Sequence, residues 1–376
     1  MKLTIKLKLF IVDPKHEKLL EDTRRVFVDA LNYISPIVFK NKIWGYKSFQ
    51  AKFYYDLKKS FPQLNAQQII QAIKVVCQDY KDKSKRTSIH IFKKHNAVVY
   101  DSRLLSYSKD KSIVSISTLD GRIKIPLHLN PYFVDKIKYI KGEADLVKKN
   151  NNWFLNQVIE VPEKEIANQI QSLGIDLGVN NIAVDNLGTF YSKEENKNIE
   201  LHRKRLLELK GILQKVNSKS SKRHLKNISG KESKFRKDIN HVISKRIVQK
   251  AKDTFSNIKL EDLTGIRKRT TVKKKQRAKH SSWSFYQLRE FITYKSKLGG
   301  VKVILVNPKN TSRECSKCGC IDKANRKDQE HFECIKCGFT ENADLNAAIN
   351  ISRRPEKVAT KKVRRLDSTN LIAVRT

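Results

Sequence analysis

Apolar and basic residues alternate through MKLTIKLKLFIV, so residues 1–12 read as a strand with one apolar face. The period then changes. KHEKLLEDTRRVFVDALNYI places Leu19, Leu20, Val26, Phe27, Ala30, Leu31 and Ile34 at helical spacing, and this patterning continues to about residue 85. Within it, FPQLNAQQIIQAIKVVCQDYKD starts after a proline and sets Ile69, Ile73 and Val76 on one face. Gln67, Gln71 and Lys74 fall on another, whose default reading is a solvated helix side. Over 88–165 the runs SIHIF, NAVVYD, SIVSISTL, RIKIPLHL and NWFLNQVIEV, divided by turns such as LDGR, read as strands. With the N-terminal strand they predict a small β-barrel (1–12 and 88–165) interrupted by a helical segment (13–87).

A second apolar series begins at SLGIDLGVNNIAV, residues 172–184, and continues through VDNLGTFYS as a meander of three short strands. Its first strand carries one carboxylate, Asp176, opposite Ile175 and Leu177. Gly174 and Gly178 flank it and read as room for the backbone of a ligand. The segments LLELKGILQKV and INHVISKRIVQKAKDTF then show helical stripes, IKLEDL reads as a strand, and ENADLNAAINISRR reads as a helix with a Leu345, Ala348, Ile349 stripe. Small Ala347 and Ala348 would let that helix lie close to a sheet. Residues 354–376 lack periodicity and read as a basic tail.

Charge narrows the picture. The chain carries 78 Lys and Arg against 38 Asp and Glu, a net +40, far beyond what solubility asks of a domain. A polyanion such as a phosphate backbone is the partner that best relieves such self-repulsion. The bias peaks over 201–279, with 26 basic residues against six acidic ones. There RKRTTVKKKQRAKHSS is too charged to pack and reads as a loop that orders on binding. No run approaches the roughly 18 apolar residues of a spanning helix, and the start of the chain reads as a strand rather than a signal peptide. The expectation is a soluble protein without a membrane partner, in the cytoplasm and on the nucleoid when bound to DNA.

Five of the six cysteines lie between Cys315 and Cys337. Cys315-x2-Cys318, fifteen residues, then Cys334-x2-Cys337 is the spacing of a four-thiolate zinc site on two knuckle turns, each followed by a glycine, Gly319 and Gly338. A four-Cys shell leaves no open position for a substrate water, so the role is structural. Cys320 reads as a non-ligand and Cys77 as a core residue.

Each acid of interest has a modest reading when taken alone. Asp176 could serve a turn, Glu261 with Asp262 a solvated strand end, and Asp344 a helix N-terminus. Strand Asp, strand-end Glu and helix Asp, in that order, is also how ribonuclease H-like folds hold two divalent ions on hard oxygen ligands. GIDLG by itself also resembles the phosphate loop of the actin, heat-shock and sugar-kinase ATPases, which lack an inserted zinc module and are rarely this basic.

The pieces GIDLGVNNIAV, SGKESKFRKDINHVISKRIV, IKLEDL, WSFYQLREFITYK (from Trp283), TSRECSKCG, FECIKCG and ADLNAAINI follow one another over 172–352. In that order the chain resembles TnpB, the transposon-encoded RNA-guided DNA endonucleases related to compact type V CRISPR effectors and RuvC nucleases. The first half matches more loosely, through its order of strand, helices and strands. The resemblance implies a RuvC-like nuclease domain (166–312 and 338–353) with an inserted zinc ribbon (313–337), a wedge-like barrel and a helical recognition domain. It implies Asp176, Glu261 and Asp344 as a catalytic triad on two magnesium ions, manganese being an alternative, and Cys315, Cys318, Cys334 and Cys337 as ligands of structural zinc. Implied partners are a guide RNA derived from the transposon end and target double-stranded DNA, with base pairing supplying sequence choice. Under it Gln67, Gln71 and Lys74 become readers of a short motif flanking the target, and Arg326 approaches the scissile phosphate.

Three rival readings remain. A guide-dependent repressor that has lost cleavage is expected to show a damaged triad, and here all three acids stand. A basic RNA-binding or ribosome-associated protein has no use for the ordered acids. A transposase is disfavoured because no Tyr or Ser nucleophile context is evident.

Overall fold

The computed structural model describes the chain except residues 83–86, 130, 167–168, 179–180, 192, 264–284, 329, 357–372 and 375–376. The basic loop 267–282, Trp283 and most of the expected tail lie outside the described residues. The chain divides into two compact units, Met1–Pro162 with Arg365–Thr376, and Glu163–Arg364.

In the first unit β1 (Lys2–Leu9) alternates as the pattern requires, burying Leu3, Ile5, Leu7 and Leu9. Asp13 then caps α1 (Pro14–Asn41), with Pro14 at the first turn, where the missing N–H costs nothing. Two further helices follow, α2 (Tyr46–Ser60) and α3 (Ala66–Asp82), and α1 and α3 bury Leu20, Phe27, Leu31, Ile34, Ile69, Ile73, Val76 and Cys77. The strands are β2 (Val98–Tyr100), β3 (Leu105–Tyr107), β4 (Ile113–Thr118), β5 (Gly121–His128), β6 (Ile140–Lys149) and β7 (Asn152–Glu160), with one helical turn, α4 (Pro131–Val134), between β5 and β6. They form one antiparallel path with β1, in the order β2-β6-β7-β1-β5-β4-β3, and a two-residue strand at Ala373–Val374 pairs with β1 in parallel.

Two strand expectations change. SIHIF joins no ladder: His90 and Phe92 instead exchange backbone hydrogen bonds with the side chains of Tyr80, Ser35 and Asn32, which replace a neighbouring strand. Conversely β6, IKGEADLVKK, carries too many charges to signal a strand, yet β2 and β7 flank it on both sides.

The second unit is built on a four-stranded sheet. β8 (Gln171–Asp176), β9 (Val184–Asp185), β10 (Ser256–Glu261) and β11 (Val303–Val306) lie in the order β11-β10-β8-β9, parallel except for β9. Three helices run between β9 and β10: α5 (Lys193–Val216), α6 (Lys219–Ile228) and α7 (Lys231–Asp253). Residues 218–238, a basic stretch interrupted by Ser and Gly, are therefore mostly helical. Ser218 caps α6, and Gly230, at φ 79°, makes the break before α7. α8 (Phe285–Gly299) links β10 to β11. Leu173, Ile175, Ile258 and Leu260 pack on one side of the sheet against Ile243, Ile247, Leu288 and Ile292. The hairpin β12 (His331–Glu333) and β13 (Thr340–Asn342) precedes α9 (Ala343–Arg353), which packs on β8.

The contact between α9 and β8 explains Gly174. A Cβ there would lie 2.3 Å from the Ala348 carbonyl and 2.4 Å from the Ser352 nitrogen. Gly178 likewise faces Asn181 O at 2.7 Å. The room beside Asp176 is taken by the protein's own backbone and not left for a ligand. The buried stripe of α9 is Ala343, Ala347, Ala348 and Ile351, one step round from the expected one. No helix among the described residues is long and apolar enough to cross a membrane.

Candidate active site and metal centre

Strand periodicity decides which side chains share a face. In β8, Leu173 and Ile175 enter the core, so Gly174 and Asp176 take the α9 side. In β10, Ile258 and Leu260 enter the core, while Lys259 Nζ reaches the Ser352 and Arg354 carbonyls at the end of α9, each at 2.8 Å. Glu261, two residues on, shares the Lys259 face. Ile175 pairs with Leu260 across the parallel ladder, so Asp176 and Glu261 stand beside one another at the carboxyl ends of adjacent strands.

The third acid arrives from the helix. Asn342 caps α9 by accepting from the Asp344 and Leu345 nitrogens, which fixes Asp344, 6 % exposed, in the first turn. Asn181 Nδ2 donates to Asp344 Oδ2 at 2.8 Å, and Arg326 Nη2 lies 3.3 Å from Asp344 Oδ1. Burial, then the charges of Glu261 and Asp344, push the Asp176 carboxyl well above the ordinary carboxylate range, against the opposing pull of Arg326. Burial also raises Glu261, opposed by the Thr311 hydroxyl and by Arg326 and Arg354. Asp176, Glu261, Asp344 and Arg326 thus form one electrostatic group, assembled from two strands, a helix and a loop between the paired cysteines. Hard carboxylate oxygens suit magnesium or manganese.

The cysteine cluster follows from its knuckles. Gly319 at φ 75° and Gly338 at φ 66° turn the chain back, and their nitrogens donate to the Cys315 and Cys334 carbonyls at 2.8 and 2.9 Å. The Sγ atoms of Cys315, Cys318, Cys334 and Cys337 all lie within 4.8 Å of one another, a closeness that the carboxylate oxygens of Asp176, Glu261 and Asp344 do not reach. The Cys315–Cys337 and Cys318–Cys334 separations are 3.7 and 3.5 Å, close to the roughly 3.8 Å edge of a tetrahedron with ~2.3 Å zinc–sulfur bonds. Although burial alone would raise the Cys334 thiol, backbone N–H groups of Cys337 and Lys336 bring it down to about 6, toward the thiolate a metal requires. The donor set fits a zinc ion, and Cys320 stands outside it.

The ribbon is tied to the acidic site. Asn346 and Asn350, buried on α9, donate to the Glu314 carbonyl at 2.8 and 2.7 Å, and Ser316 N returns a bond to Asn346 Oδ1. The helix that carries Asp344 is thereby anchored to the backbone that carries Cys315.

In the first unit the expected solvated face of α3 is not one. Gln71 is 1 % exposed, and both Gln67 and Gln71 donate to Asp101 Oδ2, with Arg103 donating to Gln67 Oε1 at 3.0 Å. Lys74 lies 3.9 Å from Glu143 and over the Tyr46 ring. Asp101 collects the two amides, a long-range partner that helical spacing could not reveal. Asn181 and Thr311 carry no signal in the sequence; only their contacts with Asp344 and Glu261 mark them.

A sheet bearing carboxylates at its strand ends, a helix bringing a third and a four-cysteine module beside it define an α/β protein with a four-cysteine cluster. Residues 156–267 match the family model described as "Probable transposase" (OrfB_IS605), and 285–351 match the Cas12f1-like TNB domain. A TnpB-like protein of Methanocaldococcus jannaschii is 30% identical over 203 residues, 53% of this chain and 69% of that one. The CRISPR-associated endodeoxyribonuclease Cas12f1 of Sulfoacidibacillus thermotolerans is 32% identical over 219 residues, 54% of this chain and 50% of that one. The chain spans about half the length of the first curated relatives it matches. Its fold matches the protein in a Cas12f1–sgRNA–target DNA complex with a TM-score of 0.63 at 18% identity, covering 89% of this chain and 83% of that one. The chain belongs to the TnpB-like family.

Proposed function

We propose that this protein is an RNA-guided endonuclease that hydrolyses phosphodiesters in guide-complementary DNA beside a short flanking motif. In this reading the second unit is a ribonuclease H-like, RuvC-type nuclease domain with an inserted zinc ribbon, and the first holds the barrel and helical recognition parts. Asp176, Glu261 and Asp344 would hold two magnesium ions, which when bound would supply charge stabilisation for the attacking and leaving oxygens of the phosphodiester. The chain's own work is to hold the three carboxylates in fixed relation, and Arg326 adds a guanidinium that can bind phosphate.

The observation that carries the proposal is the convergence of three acids, far apart in sequence, whose burial and mutual charge push Asp176 well above its ordinary range. Such repulsion is costly unless cations offset it. A chain reduced to binding has no use for it, which weighs against the repressor reading. The partners are a guide RNA encoded at the transposon end and double-stranded target DNA, whose phosphates suit the net +40 charge. Gln67 and Lys74 would read the flanking motif, while Gln71, 1 % exposed, would act only through Asp101, which accepts from both glutamine amides.

The test is to purify the protein with its co-transcribed RNA and supply target DNA and magnesium. Wild type is expected to cleave, and Asp176→Ala to bind without cleaving. Cleavage by both, or by neither under conditions that support binding, removes the proposal.

A further inference from the structure

Two neutral side chains each donate to one carboxylate oxygen of the acidic site, Asn181 to Asp344 and Thr311 to Glu261. Beyond β8, Gly178 N donates to Asn181 O at 3.0 Å. That approach needs a residue without a Cβ: one built at 178 would lie 2.7 Å from Asn181 O. The Asn181 amide donates to Asp344 Oδ2, 163 positions further along the chain. Thr311, 3 % exposed, sits in the turn ahead of Cys315 and is pinned from α9 by Asn350 Nδ2, which donates to its carbonyl at 3.0 Å. Its hydroxyl reaches both Glu261 Oε1 and, at 3.1 Å, the Pro308 carbonyl. One hydroxyl proton serves one acceptor at a time, and a carboxylate is the stronger.

We propose that Asn181 and Thr311 are positioning residues for the divalent-cation site, each binding one oxygen of a ligating carboxylate so that the other is presented to the ion. This rests on the reading of Asp176, Glu261 and Asp344 as metal ligands. The chemistry of the two donors is what the task requires. Arg326, whose Nη2 lies 3.3 Å from the other Asp344 oxygen, Oδ1, is a cation that competes with the metal for that carboxylate and must release it when the ion binds. An amide N–H or a hydroxyl orients the carboxylate and leaves that charge for the ion. The two residues also come from different places, the chain beyond β8 and the approach to the zinc knuckle. Each main ligand outside β8 therefore has its own orienting group.

The test is manganese binding by the zinc-loaded full-length protein, followed by electron paramagnetic resonance of free and bound Mn2+. Melting temperature and zinc content, measured in parallel, show that each variant is folded. Asp176→Ala should abolish the tight binding. Asn181→Asp, which keeps the shape and replaces the N–H donors with a repelling oxygen, and Thr311→Val, which keeps the shape without the hydroxyl, should each weaken it roughly ten- to hundredfold. Thr311→Ser, which retains the hydroxyl, should stay within about threefold of wild type. Wild-type affinity in both Asn181→Asp and Thr311→Val, with Asp176→Ala inactive in binding, overturns the positioning role and leaves the ligand assignment standing. Equal binding by wild type and Asp176→Ala overturns both.

Discussion

Asp176 is destabilising where it stands. Its carboxyl titrates higher in the folded chain than unfolded, because burial and two neighbouring acids disfavour the charge. Across that window the folded state binds more protons than the unfolded one, so stability falls as pH rises from the unfolded value through the folded one. Asp176→Asn should remove this slope. Without added divalent ions at neutral pH it should raise the melting temperature by roughly 2–4 °C, the shift that about 1 kcal/mol gives in a unit of this size. An unchanged or lower melting temperature would show that the three acids do not repel in the folded protein. Gly174→Ala should act in the opposite direction. The added methyl meets α9 backbone rather than a side chain that can swing away, so a loss of about 1–3 kcal/mol is expected in urea unfolding.

Among elements, α9 has the widest reach. One face carries Asp344, another packs Ala347 and Ala348 on β8, and a third sends Asn346 and Asn350 to the ribbon backbone. Zinc binding in such modules supplies folding energy. Cys334→Ser should therefore lose the metal and, through Glu314 and α9, also loosen Asp344; zinc quantitation together with manganese affinity would register both effects. Stoichiometric zinc in that variant would mean the ligand assignment is wrong. The sequence made α9, the two knuckles and the strands bearing Asp176 and Glu261 legible because each is encoded by local period or spacing. Their meeting was legible only as an order of motifs. What stayed hidden depends on partners distant in the chain: Asp101 burying Gln71, side chains standing in for a strand beside His90, and the charged strand β6 held between two neighbours. Gly174 and Gly178 were visible as special, but the sequence could not say that the chain's own backbone would fill the space beside them.

At the scale of the whole molecule, charge is the dominant property. With 78 basic residues against 38 acidic ones, binding to a guide RNA should release many counterions. The logarithm of the binding constant should fall against the logarithm of salt with a slope of about −4 or steeper, as six or more phosphate contacts to single-stranded RNA would give. A slope near zero in filter binding would remove the polyanion reading. The central claim, however, is that three carboxylates act as one catalytic unit, and single-turnover cleavage measures that most directly. With guide RNA, target DNA and magnesium, Asp176→Asn, Glu261→Gln and Asp344→Asn should each slow cleavage by at least about a thousandfold while target binding is retained. The Asp176→Asn, Asp344→Asn double variant should fall little further, because residues acting as a unit are non-additive. Cleavage near the wild-type rate by any one of the three single variants would contradict the account.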